Sequence, residues 1–424
     1  MNHKFSRRDF LKGVSVGAGA GLLSACAFPP SVSVATPAVC PTQRFCEAPA
    51  APACPTPTPI PVPPPTPVST NFDVYAYYLQ GINLPEQPEP NRLNFGFATV
   101  APLYGPVQDP VTMRMDIKWA RENGVTTFVM PESTSNGGWV TRIADMFLPA
   151  SEPPFEIDFS ILFNPTLEYM PSDELANRVV DVAKNLLSGY VQHPRYKRLP
   201  DGRPVVFYFL AGVVAYSLGV DVLEKTVGLL RSNVGEDIFL VGDIMVEPYE
   251  MQTDPKFQIA DYISRQVKLF DAIDSYYLWH AGYEWHSLQD YNHVVTPFKD
   301  MIAGYQEACD VWAEKAHHYG SKFVPPISPA GLSNRLLYEA GIDTGLSDRH
   351  EGVSYDTAKE MAKIGAKYAD PELKMVIIGA WNECTEGTAI LPSKGFKFGP
   401  VHAVRDTFAI EPTGGWPEDY YPPS

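Results

Sequence analysis

Positive charge, nucleotide-binding glycines and metal-ligand spacings are all scarce in this sequence. Lysine and arginine number 33 against 49 aspartates and glutamates, a formal charge of −16. Beyond the first dozen residues no basic cluster occurs, and recognition of nucleic acid through its phosphates requires one. Nucleic acid is therefore excluded as a partner. No glycine-rich phosphate loop follows an early strand-like run, which argues against the dinucleotide-binding class. The six cysteines and nine histidines fall at no metal-ligand spacing, so neither a metal nor another cofactor is expected. Long apolar runs are missing near the N-terminus: Val14 to Leu23 covers about half of the ~20 residues a membrane-spanning helix needs. What the chain does have is 45% hydrophobic and only 19% charged residues, ample for a large core. Its acidic balance is compatible with neutral substrates such as sugars. It also has 42 prolines, many of them crowded into one early stretch.

The first residues carry an address. Ser6-Arg7-Arg8-Asp9-Phe10-Leu11-Lys12 resembles a twin-arginine export signal, and the apolar run to Leu23 reads as its hydrophobic region. Leu23-Ser24-Ala25-Cys26 resembles a bacterial lipobox, in which the cysteine is lipidated and the chain is cut just before it. The expectation is a signal peptide over 1–25 that engages the twin-arginine export machinery. Cys26 then becomes the lipid anchor in a membrane, with the remaining chain extracytoplasmic. An uncleaved anchor or a chance Arg-Arg pair is the plainer alternative. Cleavage would remove four cations and one acid, taking the formal charge from −16 to −19. From Cys54 to Thr70 proline alternates with small residues, which fixes φ and removes amide donors. Residues 26–70 are therefore expected to form a disordered, extended spacer behind the anchor, and 71–424 the folded domain. Cys40, Cys46 and Cys54 lie in the spacer, Cys309 and Cys384 in the domain, and an oxidising compartment allows some to pair.

From Asn71 onward short β-rich apolar runs alternate with segments at helical spacing. The runs are Phe72–Leu79, Val125–Met130, Phe155–Phe163, Pro204–Leu210, Ile238–Gly242, Ile273–Leu278, Lys322–Ile327 and Lys374–Ala380. Helices are expected over Met113–Asn123, Ser172–Tyr190, Val220–Ser232, Pro297–Tyr319 and Tyr355–Tyr368. Buried strand alternating with helix defines an α/β chain with a parallel sheet. Eight such steps over about 350 residues suit a single (β/α)8 barrel of the TIM type with enlarged loops. A doubly wound open sheet is the alternative topology.

In such a barrel the residues just past the strands' C-terminal ends form the active face. That rule selects Glu132, Asn164, Asp243, Tyr277, His280 and the segment after Ala380. Each has a plainer explanation, since an acid at a strand end can cap a helix and a tyrosine can fill the barrel. His280 and His286 sit among Trp279, Tyr283, Glu284 and Trp285, a composition that suits a sugar-lined loop. His317-His318 reads as the end of a helix, and His193 as structural.

The chemistry concentrates after the last strand, in Trp381-Asn382-Glu383-Cys384-Thr385-Glu386-Gly387-Thr388. Glycosidic bonds are cleaved by paired carboxyl groups, one acting as acid and the other as base or nucleophile. Side chains three apart on a helical turn are neighbours, and one carboxyl can raise the other's pKa so that it holds a proton near neutral pH. Trp381 offers a flat face for a sugar ring, and Asn382 a hydrogen bond to a hydroxyl. Glu-x-x-Glu is also common on solvated helices, where it carries no chemistry. A thiol nucleophile at Cys384 lacks an identifiable histidine partner.

WNECTEGTAILPS is similar to the WNEW-x-EG-x-x-IEP signature of the family 99 glycoside hydrolases and their family 99-like relatives. Gly189-Tyr-Val-Gln-His-Pro-Arg-Tyr196 with Asp201-Gly-Arg-Pro-Val-Val206 resembles that family's "HP-x-Y … dGkPV" passage. Phe323 to Gly331 with Asn334-Arg335 resembles its "PtvsPG … nR" passage, and Tyr75-Ala-Tyr-Tyr78 its tyrosine-rich first strand. Cys384 stands where the family has Trp, Leu391 replaces the Glu of "IEP", and Leu79-Gln80 replace a Pro-Trp. The resemblance implies a (β/α)8 barrel that hydrolyses an α-linked glycan, such as an α-mannoside, with retention. It implies Glu383 as the base that deprotonates the sugar's own 2-hydroxyl and Glu386 as the acid. Trp381, Asn382, Tyr77, Glu132, Tyr277, Trp279, His280 and Asn334 are the candidate contacts to an oligo- or polysaccharide. A non-catalytic glycan-binding lipoprotein on the same barrel is the competing reading, and an enzyme of glycan assembly the third.

Overall fold

The computed structural model describes residues 62–78, 109–133, 143–164, 172–244, 260–274, 298–327, 355–382, 389–393 and 397–411. The strands are β1 (Asp73–Tyr77), β2 (Thr127–Ser133), β3 (Asp158–Asn164), β4 (Val205–Tyr208), β5 (Phe239–Asp243), β6 (Ala272–Asp274), β7 (Lys322–Phe323), β8 (Pro326–Ile327) and β9 (Met375–Ile378). All neighbouring pairs are parallel, in the order β7-β6-β5-β4-β3-β2-β1-β9-β8.

The two edges of that order belong to one stretch of chain. Val324 donates its amide to Ile273 O at 2.9 Å on one side, while Ile377 donates to Pro325 O at 3.2 Å on the other. Lys322–Ile327 is thus a single stave bonded first to β6 and then to β9. The sheet closes on itself into an eight-staved parallel barrel, as expected. The stave is split because Pro325 and Pro326 have no N–H to continue either ladder.

Alternation along the strands separates two apolar layers. Tyr75, Tyr77, Val129, Leu162, Val205, Phe207, Val241 and Ile377 fill the barrel's interior. Val74, Ala76, Tyr78, Phe128, Phe159, Ile161, Val376 and Ile378 face outward into the shell of helices. The main helices of that shell are α1 (Pro110–Glu122), α2 (Ser172–Val182), α3 (Ala211–Leu218), α4 (Val220–Asn233), α5 (Ala260–Val267), α6 (Phe298–His318), α7 (Tyr355–Tyr368) and α8 (Gly399–Phe408). α1 starts three residues earlier than expected because Asp109 caps it. The Asp109 carboxylate accepts from the Val111 and Thr112 amides at 2.8 Å each, Thr112 Oγ1 accepts from the Asp109 amide at 2.7 Å, and Pro110 occupies the first turn. Of the helices not anticipated, α3 is an almost wholly apolar run that lacks a polar face to reveal its period.

The barrel's lower pole, at the strands' N-terminal ends, is plugged. Lys197 donates its amide to Phe159 O at 2.7 Å and accepts from the Val205 amide at 3.0 Å. Its Nζ meets Asp73 Oδ1 at 2.7 Å and lies 5.7 Å from the centre of the Tyr75 ring. Burial, then Asp73, pushes the Tyr75 hydroxyl pKa well above its ordinary value, so it stays protonated. The HPRY…DGRPV passage forms this plug, and His193, whose ring edges Phe159 at 5.3 Å, is structural in it.

The last nine residues of the expected spacer are laid against the same pole. Thr66 donates its amide to Glu122 Oε1 at 3.2 Å, Val68 donates to Arg121 O at 3.1 Å, and Ser69 O accepts from Ile410 N at 2.9 Å. Thr70 bridges antiparallel to Ala409, and Val62 packs on the helical core. Residues 62–70 are thus a strap joining the ends of α1 and α8, and they belong with the folded domain that was expected to begin at 71.

Candidate active site

The upper pole is set by where each strand stops and which way its last side chain points. Tyr77 ends β1, Asn164 ends β3, Asp243 ends β5 and Asp274 ends β6. Each lies two residues beyond an interior residue, respectively Tyr75, Leu162, Val241 and Ala272. Strand alternation therefore turns all four toward the barrel axis.

Three of them are tied into place. The Tyr77 hydroxyl donates to Asp274 Oδ2 at 2.7 Å, a fully buried contact that links β1 to β6. The Tyr77 ring meets Phe207 edge-on at 6.0 Å. Asp243 and Asp274 are register partners on adjacent strands, and both are buried. Asp243 Oδ2 accepts from the Leu210 amide at 3.0 Å. Leu210 has φ 56°, a left-handed conformation uncommon for a leucine, and it precedes α3 directly. One task of the Asp243 carboxyl is thus to hold a strained turn at the rim. Asn164 is half-buried, and its Oδ1 is buried without a hydrogen-bond partner.

The last strand brings the glutamate-bearing segment to this pole. Trp381 donates its amide to Tyr77 O at 2.8 Å, which fixes the chain beside the end of β1. Further on, Ile390 and Leu391 return their amides to Trp381 O at 3.2 and 3.0 Å. Both ends of the segment between Trp381 and Ile390 are therefore clamped together at the mouth.

Of the residues singled out from sequence for this face, Tyr77, Asn164, Asp243, Trp381 and Asn382 are described with their side chains. Tyr77 is buried at the end of β1, its hydroxyl engaged by Asp274. Asn382 is buried at 5% exposure, beside the segment it introduces. Trp381 requires a correction. It was expected to offer its face to a sugar, yet its ring is wholly buried and packs against Phe128 at 5.6 Å within the outer apolar layer. An indole buries on the order of 200 Å², worth roughly 5 kcal/mol, and the outward side of the strand end supplies that burial. Glu132 lies on β2 opposite Phe163, and its backbone alone is described. Glu383, Glu386, Tyr277, Trp279, His280, Asn334 and Cys26 lie outside the described residues.

Asp274 was missed. The sixth strand was expected to run from Ile273 to Leu278, which made Asp274 a mid-strand residue. The signal was the acid itself, because a carboxylate within a buried apolar run is rare unless it is paired. Among the described residues no group of three His, Cys, Asp or Glu side chains is placed to hold a metal.

The fold and this pole define a closed parallel α/β barrel with a polar, acid-bearing mouth. No protein family matches the chain, and no relative is found among curated proteins. Among solved structures it is similar to the family 99 endo-α-mannosidase from Bacteroides thetaiotaomicron, at 14% identity and TM-score 0.48, over 80% of this chain and 96% of that one. It is also similar to the endo-β-1,4-mannanase from Thermotoga petrophila, at 9% identity and TM-score 0.43, over 80% and 76% of the two chains. A third is the endocellulase from Pyrococcus horikoshii, at 11% identity and TM-score 0.41, over 80% and 93%. Likenesses of this degree assign neither a substrate nor a reaction to this chain.

Proposed function

We propose that the protein is an exported, lipid-anchored glycoside hydrolase that cleaves α-linked glycans at the barrel mouth. Glu383 and Glu386 are its paired carboxylates. The observation that carries the reading is the clamp on the segment that contains them. Trp381 is pinned to β1, and Ile390 and Leu391 return to Trp381 at the C-terminal end of the last strand, where barrels of this type gather their reacting groups. The interior acids and amide around that end, with Tyr77 bonded to Asp274, suit the recognition of hydroxyls.

In the mechanism that the sequence resemblance implies, Glu383 takes the proton of the sugar's 2-hydroxyl as that oxygen attacks the anomeric carbon. Glu386 gives a proton to the leaving oxygen. Water then opens the resulting 1,2-anhydro sugar, and configuration is retained. The twin-arginine motif and Cys26 deliver the domain outside the cytoplasm and hold it at a membrane.

The test is a screen of the purified protein, from Val62 onward so that the strap is kept, against α-linked polysaccharides, with released oligosaccharides read by mass. Glu383→Gln and Glu386→Gln should each abolish turnover while leaving the melting temperature and glycan affinity near wild type. Full activity in either variant would refute the assignment. Binding without product in the wild type would make the protein a glycan-binding lipoprotein instead.

A further inference from the structure

Among the four strand-end residues turned toward the barrel axis, Asn164 is the one with a buried polar atom that has no hydrogen-bond partner. It closes β3, and its place two residues beyond the interior Leu162 turns its side chain toward the axis. Its neighbour across the ladder is Ser133, the last residue of β2. The carboxamide oxygen is buried, yet it accepts no hydrogen bond. A buried acceptor in that state lowers the stability of the free protein, and native folds contain few of them. Tyr77 and Asp243, at the same level, have their polar atoms engaged.

At the strand end that faces the mouth, a ligand hydroxyl reaching this oxygen would complete the hydrogen bond that the free protein lacks. A carboxamide does not ionise and both accepts and donates, which matches a hydroxyl group better than a carboxylate or an ammonium. We infer that Asn164 is a substrate-contacting residue, its carboxamide oxygen accepting a hydrogen bond from a hydroxyl of a neutral sugar. This inference rests on the glycosidase reading and adds a specificity residue to it, one that discriminates against sugars lacking or blocking that hydroxyl.

The test compares wild type with Asn164→Leu, which keeps the volume and removes the polar group. Asn164→Ser serves as the second variant should the leucine protein fail to fold. Affinities for mannotriose, maltotriose and isomaltotriose are measured by calorimetry alongside the melting temperature. For whichever glycan the wild type binds, the leucine variant should bind about three- to tenfold more weakly, and it should melt no lower than wild type. A residue with a purely structural role would show the reverse, a lower melting temperature at unchanged affinity. Unchanged affinity, or an affinity loss that comes only with a fall in melting temperature, overturns the inference and leaves the hydrolase reading standing. A wild type that binds none of the three glycans defeats both.

Discussion

Replacing Gly124 with alanine should loosen the strap across the barrel's lower pole. Gly124 follows the C-cap of α1 at φ +82°, a region an L side chain enters at a cost of ~1–2 kcal/mol. A Cβ built there lies 2.8 Å from Thr70 Cγ2, inside any tolerated contact. Forcing such an overlap typically costs about 1–3 kcal/mol, so the whole substitution should cost roughly 2–5 kcal/mol. Gly202 and Gly235 separate the two contributions. They have φ +91° and +93° with nothing within 4 Å of the added carbon, so alanine at either carries the backbone term alone. Thr70→Ser then removes the offending methyl and keeps the hydroxyl that donates to Phe72 O at 2.6 Å. In that background Gly124→Ala should fall to the cost seen at Gly202. The double-mutant cycle should show a coupling of about 1–3 kcal/mol. Denaturant midpoints at constant slope are the appropriate readout. Equal costs for Gly124→Ala in the two backgrounds would show that the strap does not press on α1.

Tyr77→Phe removes the hydroxyl that Asp274 accepts. It should cost about 1–3 kcal/mol of stability and lower turnover, and a variant as stable and active as wild type would remove the pair from the site. Burial, and then Arg405, holds the His402 pKa down at about 4, against ~6.5 in an unfolded chain. Between those values the unfolded state binds a proton that the folded state refuses, so His402 makes stability fall as pH drops through that window. His402→Gln should flatten this acid limb in pH-dependent denaturation, and parallel curves for the two proteins would contradict the assignment. Cys26→Ser should leave the exported protein in the soluble fraction, whereas the wild type should sediment with membranes and carry a lipid mass at residue 26. A soluble, unmodified wild type would remove the anchor.

How much of this was legible in the sequence follows from which forces act locally. α7 was read to the residue, because a polar face alternating with Ala358, Met361, Ala362 and Ile364 writes the helical period directly into the chain. α8 went unread: Phe398 supplies no capping side chain, and Gly399-Pro400 resembles a turn until Trp119 is packed edge-on to Phe398 at 5.7 Å. The inward-facing residues at the strands' C-terminal ends were legible, because alternation fixes which side chains point to the axis. The fate of Trp381 was not, since a tryptophan at a strand end serves a sugar or a core equally well and its neighbour Phe128 is distant in sequence. Asp274 was hidden because Ile273–Leu278 reads as one short apolar run in which a single acid does not stand out. The strap was concealed by its composition: proline-rich chain denies itself a secondary structure of its own, yet its remaining amides, those of Thr66 and Val68 among them, can still be taken up by a finished surface.

The bridge between Thr70 and Ala409 brings the two flanks of the barrel together at one pole. The barrel is thus gripped at the pole opposite the strands' C-terminal ends, like a lamp on a bracket. Anything fused directly at Val62 or Glu411 therefore joins the barrel at the pole away from the mouth. A short linker between Thr70 and Ala409 would also join the two flanks directly, so that new chain ends can be opened elsewhere on the rim without unpicking a single stave.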